Sequence, residues 1–415
     1  MDRKKQNWGE PPWKIAFRAK TAGLPAHVDV AIVGGGFAGL TAAAYVKRGL
    51  GKRNGGKKSV LVLEAGRIGD GASGRTGGMA LAQSAAGDLP GLGDVLKSYK
   101  KILRELDITA ELDLRGVWEI ARGTRSMEGK RITPIKNSPI DWNDSGRVRA
   151  VKLVQGGTVN PGKVVAGLAR AATKAGVLIE ETARVVRVQV GAPVSLQVEV
   201  SEGGKIWKEI VTADRVLLTT NAGAISDGNF SDGILGERKL TFALATAPLT
   251  KKRIAALGMK SGRPFYTVDL PYLWGRLFQA KSSRSKAKSK NRGMIFGAGL
   301  VPAFGESLPE HEAHQLWSGL EREDVRCGDS AERLKNLEQR VRALHPALAK
   351  IRVTHRWGGP ILITPSFVPV FRAHPKSKNV ILLGGFSGHG VAQSVYLGRW
   401  AAEVLLGKRA LAKWR

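Results

Sequence analysis

The feature that most constrains this chain is a glycine-rich turn between an apolar strand and a helix. Val28 to Val33 is a β-branched apolar run, Gly34-Gly35-Gly36 interrupts it, and Ala38 to Lys47 has the small residues of a closely packed helix. A second apolar run, Ser59 to Leu63, ends at Glu64. This order predicts a βαβ unit at the start of a doubly wound α/β sheet.

The spacing Gly34-x-Gly36-x-x-Gly39 in this context predicts a dinucleotide-binding loop. Gly34 permits the tight turn, Gly36 lets backbone approach a pyrophosphate at the helix N-terminus, and Gly39 allows close packing of helix and strand. Glu64 is placed to accept hydrogen bonds from both ribose hydroxyls of an ADP moiety, which disfavours NADP. NAD and FAD both contain ADP, so the loop alone does not choose between them.

The choice comes from a resemblance to a known family. Glu64-Ala65-Gly66, followed by the run Gly69 to Met79, resembles the second flavin motif of the D-amino-acid-oxidase-like flavoproteins. Its Ala-Ser-Gly-Arg-x-Gly-Gly form is most similar to the γ-glutamylputrescine oxidase branch. The resemblance implies FAD as the cofactor, a Rossmann-like FAD-binding domain and an interleaved antiparallel α+β substrate domain. Arg75 would add a positive charge beside the flavin and its phosphates.

Later segments match the same family in its order along the chain. Val185 stands where the family uses a backbone contact to adenine, and the run Ala213 to Gly223 resembles the turn that closes over the pyrophosphate. The segment Gly384 to Val391 resembles the one whose helix N-terminus points at the flavin ring. The cofactor-binding residues implied by the glycine loop and the resemblance are Gly34, Gly36, Phe37, Ala38, Gly39, Glu64, Ala65, Ser73, Arg75, Thr76, Gly77, Gly78, Met79, Val185, Asn221, Ala222, Gly223, Gly385, Gly388, His389, Gly390 and Val391.

Fewer sequence features indicate the substrate than indicate the cofactor. The run Asp269 to Leu277 resembles the family's substrate-sheet strands, in which Tyr272 and Trp274 either wall the substrate pocket or take part in ordinary sheet packing. Arg276 is expected to be a solvated or structural charge rather than a substrate anchor. His389 either contacts substrate or is satisfied by main chain.

A departure from the family bears on the substrate class. Amino-acid-oxidising members carry an arginine that pairs with the substrate carboxylate, in a segment matching Arg356-Trp357-Gly358-Gly359-Pro360 here. Glycine stands at the arginine position, which favours an amine or N-substituted amine, although Arg356 could reach back from a neighbouring position. The candidate catalytic residues are therefore His389, Tyr272 and Arg356.

We expect an N-terminal arm over residues 1–27. The FAD-binding domain is expected over 28–83, 151–236 and 356–415, and the substrate domain over 84–150 and 237–355. The single cysteine, Cys327, excludes an internal disulfide, and no Cys/His spacing suggests a metal site. No apolar run resembles a signal peptide or a membrane span of roughly 18 residues, so a cytoplasmic protein is expected.

The formal net charge of +31, from 66 Lys+Arg against 35 Asp+Glu, is the compositional anomaly. It leaves open a peripheral contact with an anionic membrane or another polyanion, but no motif supports specific nucleic-acid recognition.

The resulting expectation is an FAD-dependent oxidoreductase that oxidises a C–N bond of an amine by hydride transfer to flavin N5. Its electron acceptor, oxygen or a quinone, is not specified by the sequence. A D-amino-acid dehydrogenase or oxidase is one alternative, and a non-catalytic flavoprotein that binds polyanions is another.

Overall fold

The chain forms two compact units, each assembled from three segments. A computed structural model describes residues 9–20, 23–51, 58–123, 131–221, 236–269, 271–280, 291–299 and 327–414. The parallel unit consists of Trp13–Leu112, Val159–Glu237 and Ile361–Arg415. The antiparallel unit consists of Met1–Pro12, Asp113–Thr158 and Arg238–Pro360. This interleaving of two domains along the chain confirms the predicted fold class.

The parallel unit is built on an eight-stranded sheet with the order β17-β18-β11-β1-β2-β8, to which β10 and β9 add an antiparallel meander. Its strands are β1 (His27–Val33), β2 (Val60–Leu63), β3 (Met79–Leu81), β8 (Leu178–Glu180), β9 (Ala183–Gln189), β10 (Val194–Glu202), β11 (Lys205–Leu218), β17 (Val370–His374) and β18 (Ser377–Gly384). Its helices are α1 (Phe37–Gly51), α2 (Ala72–Arg75), α3 (Val95–Glu105), α4 (Pro161–Lys174) and α7 (Gly390–Leu405). Strand β1 pairs in parallel with β2 and with β11, as a doubly wound unit requires.

The antiparallel unit is built on a second eight-stranded sheet, with the order β16-β12-β15-β14-β13-β4-β6-β5. Its strands are β4 (Val117–Ala121), β5 (Asp141–Asn143), β6 (Arg147–Val154), β7 (Gly156–Thr158), β12 (Glu237–Thr246), β13 (Phe265–Thr267), β14 (Trp274–Gln279), β15 (Arg292–Gly299) and β16 (Val353–Ile363). Its helices are α5 (Lys251–Ala256), α6 (Cys327–Ala343) and a short 3-10 turn at Pro346–Leu348.

One face of the antiparallel sheet carries the hydrophobic core of its unit. Phe265 and Phe296 are fully buried there, with ring centroids 6.0 Å apart, and Trp142 meets Phe265 edge to face at 4.7 Å. Side chains alternate between the two faces of a strand, so the residues next to these aromatics project from the opposite face.

The observed units divide the chain differently from the expectation at three places. Residues 356–360, expected in the FAD-binding domain, belong to the antiparallel unit, because β16 is a strand of the antiparallel sheet. Residues 84–112 belong to the parallel unit, because α3 packs against α7. Residues 151–158 belong to the antiparallel unit, because β6 pairs with β4 along its length. The expected N-terminal arm also divides, since Gly9 bridges to Trp357 while the Trp13 indole donates to the Gly74 carbonyl.

Candidate functional site

The glycine loop holds the N-terminus of α1 close to the strands of the parallel unit. Gly34 has a φ of +110°, a conformation that side chains disfavour, and its N–H donates to the Leu63 carbonyl at 2.8 Å. A Cβ at Gly39 would overlap the Gly34 carbonyl oxygen. Gly34 is therefore required by the turn, and Gly39 by the close approach of α1 to that turn.

The small-residue helix α2 lies over this loop. The Ser73 hydroxyl accepts a hydrogen bond from the Phe37 N–H at 3.0 Å. A Cβ at Gly36 would stand 2.8 Å from that same hydroxyl oxygen. The α1 N-terminus, the ordinary site for a phosphate anion, is thus lined by Gly36 and Ser73.

Glu64 is fixed by two backbone donors. Its Oε2 accepts from the Gly35 N–H at 2.7 Å and its Oε1 from the Gly66 N–H at 2.9 Å. A carboxylate oxygen has two lone pairs, so each oxygen keeps one for a ribose hydroxyl. Burial raises the pKa of Glu64 above its ordinary 4.5, against the opposing effect of these two N–H groups. The sequence-predicted role of Glu64 is compatible with this geometry.

The predicted adenine contact lies near Glu64. The Ala183 N–H donates to the Glu64 carbonyl at 2.8 Å, which brings the start of β9 beside the acid. Val185 follows two residues later and is buried, paired with Val198 of β10.

The ends of β11 and β18 meet at the same loop. Thr219 donates its hydroxyl to the Val33 carbonyl at 2.8 Å. Asn221, with a φ of +51°, accepts from the Gly385 N–H at 3.0 Å through its side-chain oxygen. Segments more than 160 residues apart in sequence are therefore joined where the family resemblance placed the cofactor.

His389 immediately precedes α7. Its Nδ1 lies 3.3 Å from the Ser387 carbonyl, and Ser387 has a φ of +48°. Burial lowers the pKa of His389, while the contact with Ser387 raises it by less, so the ring is neutral at neutral pH. Main chain therefore satisfies one ring nitrogen, which was one of the two expectations for this residue.

The other predicted cofactor residues are distributed over the same segments. Arg75 donates its Nε to the Asp70 carbonyl at 2.9 Å, which turns it along α2. Ala222 and Gly223 lie outside the described residues. The remaining positions lie in the expected segments. They are Ala65 in the turn after β2, Thr76, Gly77 and Gly78 between α2 and β3, Met79 at the start of β3, Phe37 and Ala38 in the first turn of α1, Gly388 before α7, and Gly390 and Val391 in its first turn.

The parallel unit has the groups that binding of a dinucleotide requires. The parallel unit offers a helix N-terminus for phosphate, glycines where a side chain would collide, and a carboxylate fixed for two hydroxyls. These are the contacts that the ADP half of FAD requires. The residues present therefore fit FAD.

Three residues that the sequence analysis discussed in the antiparallel unit, the catalytic candidates Tyr272 and Arg356 and the expected structural or solvated charge Arg276, lie in different environments. Tyr272 is half-buried before β14, and burial raises its pKa. Arg276 is buried and donates to the Leu277 carbonyl at 3.3 Å, so it is a structural charge and not a solvated one. Arg356 is 45% exposed at its side chain and pairs with Glu338 of α6, where its Nε lies 3.1 Å from Oε2. The structure therefore gives Arg356 a structural partner.

Sequence reasoning missed two groups in this unit. The Tyr266 hydroxyl of β13 donates to Glu119 Oε1 of β4 at 2.7 Å. The sequence feature that could have indicated Glu119 is that it is the single acid within the apolar strand Val-Trp-Glu-Ile-Ala. Arg122 and Arg340 both form ion pairs with the carboxylate of Asp144. No local sequence pattern predicts this cluster, because its members are far apart in the sequence.

Comparisons with known proteins show the family. A family model described as DAO, FAD dependent oxidoreductase, matches residues 29–404. A probable oxidoreductase OrdL of Rhizobium meliloti is 26% identical over 92% of this chain and 83% of its own length. The gamma-glutamylputrescine oxidoreductase of Escherichia coli is 25% identical over 91% of this chain and 84% of its own length.

Solved structures share the fold. Glycine oxidase from Geobacillus kaustophilus matches with a TM-score of 0.62 at 19% identity, over 93% of this chain and 96% of its own. L-Amino acid deaminase from Proteus myxofaciens matches with a TM-score of 0.63 at 15% identity, over 97% of this chain and 94% of its own. At such identities the likeness concerns the fold. None of the described helices is both long and apolar enough to span a bilayer.

Proposed function

We propose that this chain, which belongs to the DAO family of FAD-dependent oxidoreductases, oxidises a carbon–nitrogen bond of an amine or N-substituted amine. The substrate carbon would lose a hydride and its nitrogen a proton, and the resulting imine would be hydrolysed by water. Bound FAD supplies the two-electron acceptor for the hydride. The gamma-glutamylputrescine oxidoreductase similarity supports a C–N donor.

The residues of the parallel unit would bind and orient the cofactor. Glu64 would hold the ribose hydroxyls, and the N-termini of α1 and α7 would place partial positive charge near the phosphates and the ring. Neutral His389 would remain a hydrogen-bond group rather than a charge, because burial lowers its pKa. No strong general base is required if the amine binds neutral.

The observation that carries the choice of an amine over an amino acid is the position of Arg356. Its guanidinium is held by Glu338, and Gly358 and Gly359 follow Trp357 in the segment where amino-acid-oxidising relatives are expected to carry an arginine. A substrate carboxylate would therefore lack a bidentate partner from this segment, and burying it unpaired costs several kcal/mol.

Anaerobic mixing tests the proposal. Holoenzyme is combined with diamines, monoamines, N-methylamines and D-amino acids, and loss of flavin absorbance reports reduction. We expect amines to bleach the flavin faster than amino acids do. Rapid bleaching by D-amino acids alone would replace the proposal with the amino-acid alternative. Reoxidation by oxygen or by a soluble quinone would then identify the acceptor.

A further inference from the structure

The N-terminal residues 13–20, here named the arm segment, belong to the parallel unit and alternate in burial along the chain. The odd-numbered side chains are half-buried, and they are those of Trp13, Ile15, Phe17 and Ala19. The even-numbered side chains are exposed, and they are those of Lys14, Ala16, Arg18 and Lys20. A period of two is that of an extended chain with one face against the protein. The arm segment therefore has an apolar inner face and a basic outer face.

Trp13 joins the arm segment to α2 and α4. Its indole N–H donates to the Gly74 carbonyl at 2.8 Å. That carbonyl lies in the last turn of α2, where carbonyl groups lack a partner within the helix. A Cβ at Gly162, in the first turn of α4, would stand 2.8 Å from Trp13 Cδ1, so this glycine leaves the space that the ring occupies. The ring therefore contacts both helices.

Ile15 packs on the turn that leads into α2. Its Cδ1 lies 2.6 Å from the point where a Cβ at Gly69 would stand, and 2.8 Å from the corresponding point at Gly74. The Gly74 N–H donates to the Gly69 carbonyl at 3.1 Å, which closes this turn. Because Cβ atoms do not approach a neighbour so closely, Ile15 fits here only while both positions are glycine.

Glu181 and Arg170 hold the main chain of the arm segment. Arg170 Nη1 donates to the Ala16 carbonyl at 3.0 Å. Glu181 Oε2 accepts from the Ala19 N–H at 3.4 Å, and its Oε1 accepts from the Ile68 N–H at 2.7 Å. One carboxylate therefore binds both the arm segment and the start of the turn before α2.

This turn and α2 contact the glycine loop as well. The Gly69 N–H donates to the Gly35 carbonyl at 3.2 Å. The Ser73 hydroxyl accepts from the Phe37 N–H at 3.0 Å, at the α1 N-terminus where the FAD phosphates are expected. The helix α2 has four residues, too few to be stable by itself, so its position depends on the contacts around it. The arm segment supplies several of those contacts.

We infer that Trp13, Ile15 and Glu181 are positioning residues for FAD, which act through α2 and the turn before it. With the arm segment in place, Ser73 and the glycine loop keep the geometry that binds the phosphates. Without it, the cofactor itself must order α2, and FAD dissociates faster. The inference goes beyond the proposed function, since it concerns retention of the cofactor and holds for any substrate.

The first test measures the release of FAD. Holoprotein reconstituted with excess FAD is diluted far below the dissociation constant, and the rise of flavin fluorescence gives the dissociation rate. Ile15→Asp places a charge against the turn and should raise this rate roughly tenfold or more, whereas Ile15→Val should stay near the wild-type rate. Trp13→Phe keeps an aromatic ring but loses the hydrogen bond to Gly74, and should raise the rate roughly two- to tenfold.

Two control variants separate positioning from general stability. Arg18→Ala changes an exposed side chain of the arm segment and should leave the rate unchanged. Ile254→Ala opens a cavity in the core of the antiparallel unit, and should lower the melting temperature without changing the rate. An Ile254→Ala protein that releases FAD as fast as Ile15→Asp does would overturn the inference. A wild-type rate in both Ile15→Asp and Trp13→Phe would overturn it as well.

Thermodynamic linkage supplies a second readout on the unaltered chain. If the arm segment favours bound FAD, then bound FAD favours a docked arm segment to the same degree. Trypsin should therefore cleave after Lys14, Arg18 and Lys20 roughly fivefold faster, or more, in apoprotein than in holoprotein. Cleavage after Lys205, which is exposed at the turn between β10 and β11, should proceed at the same rate in both. Equal cleavage of the arm segment with and without FAD would show that the two are not coupled.

Discussion

Arg340 and Asp144 form a buried two-point ion pair in the antiparallel unit, with Nε 2.9 Å from Oδ1 and Nη2 2.8 Å from Oδ2. Arg122 binds the same carboxylate and also pairs with Asp269 at 2.6 Å. Two guanidiniums and two carboxylates therefore balance in charge, in a region of low exposure. The cluster supports the Tyr272 backbone, because the Tyr272 carbonyl accepts a hydrogen bond from Arg340 Nη1 at 3.1 Å.

Asp144→Asn should destabilise the protein strongly. It leaves Arg340 and Arg122 without a shared counter-charge, and breaking a buried pair costs about 3–5 kcal/mol. Urea unfolding measures the loss. Asp141→Asn, which breaks the exposed pair with Arg147, is the matched control and should leave the unfolding midpoint in place. Similar midpoints for both variants would contradict a buried role for Asp144.

The contribution of Asp144 should also depend on pH. Burial acts to raise its pKa, but Arg340 and then Arg122 hold the pKa of Asp144 below its ordinary 3.8. The stabilisation is therefore fully present above pH 3.8 and is lost as the pH falls through the lowered pKa. The difference in free energy of unfolding between wild type and Asp144→Asn should shrink in that range. A difference that is constant down to full acid unfolding would argue against the ion pair.

Gly36→Val should abolish FAD binding. Its Cβ would stand 2.8 Å from the Ser73 hydroxyl oxygen, at the N-terminus of α1, where the phosphates are expected. Flavin absorbance per protein after purification is the measurement. Gly51→Val, at the other end of α1 where no atom lies within 4 Å of the new Cβ, should retain the flavin. A yellow Gly36→Val protein with full FAD content would remove the loop from the cofactor site.

FAD affinity should fall as the solution is acidified. Burial raises the pKa of Glu64 in the protein without cofactor above 4.5, and the ribose hydroxyls need its carboxylate as an acceptor. Protonation through that raised pKa therefore weakens binding, and affinity is regained as the pH rises. Fluorescence titration of apoprotein with FAD across this range measures it. Glu64→Gln should bind FAD more weakly, by roughly 1.5–3 kcal/mol, and without this pH dependence. An unchanged acid profile in Glu64→Gln would assign the titration to another group.

Arg356→Ala should change amine oxidation by less than about tenfold, which is 1.4 kcal/mol on the barrier. Glu338 already engages the guanidinium, so the substrate does not depend on it. Steady-state kcat/KM for the best amine found in the bleaching screen is the measurement. A thousandfold loss together with rapid D-amino acid turnover would show that Arg356 anchors a carboxylate after all.

Much of the parallel unit could be predicted because its signals are local. The apolar run before Gly34, the glycine spacing and the acid after β2 all lie within some forty residues and specify strand, turn, helix and strand in order. Asn160 before Pro161 likewise marks the start of α4, where its side chain accepts from the Lys163 N–H. The choice of FAD then came from the resemblance of the segments after Glu64.

The substrate side could be predicted only in part. Tyr272 and Trp274 were predicted either to wall the substrate pocket or to pack within the sheet, and Glu119, which accepts from the Tyr266 hydroxyl, was not predicted.

By itself, the sequence determined the glycine loop, the position of Glu64 and the order of the flavin segments, because each depends on backbone preferences and spacing within short stretches. Only the tertiary structure decided that Glu119, Tyr266, Trp274 and Gly297 share one row. That row is set by strand register between residues up to 178 positions apart, and a one-residue slip would turn a strand's side chains to the other face. The partnership of Arg356 with Glu338 is of the same kind: it requires β16 and α6 to be placed together, which no local pattern encodes.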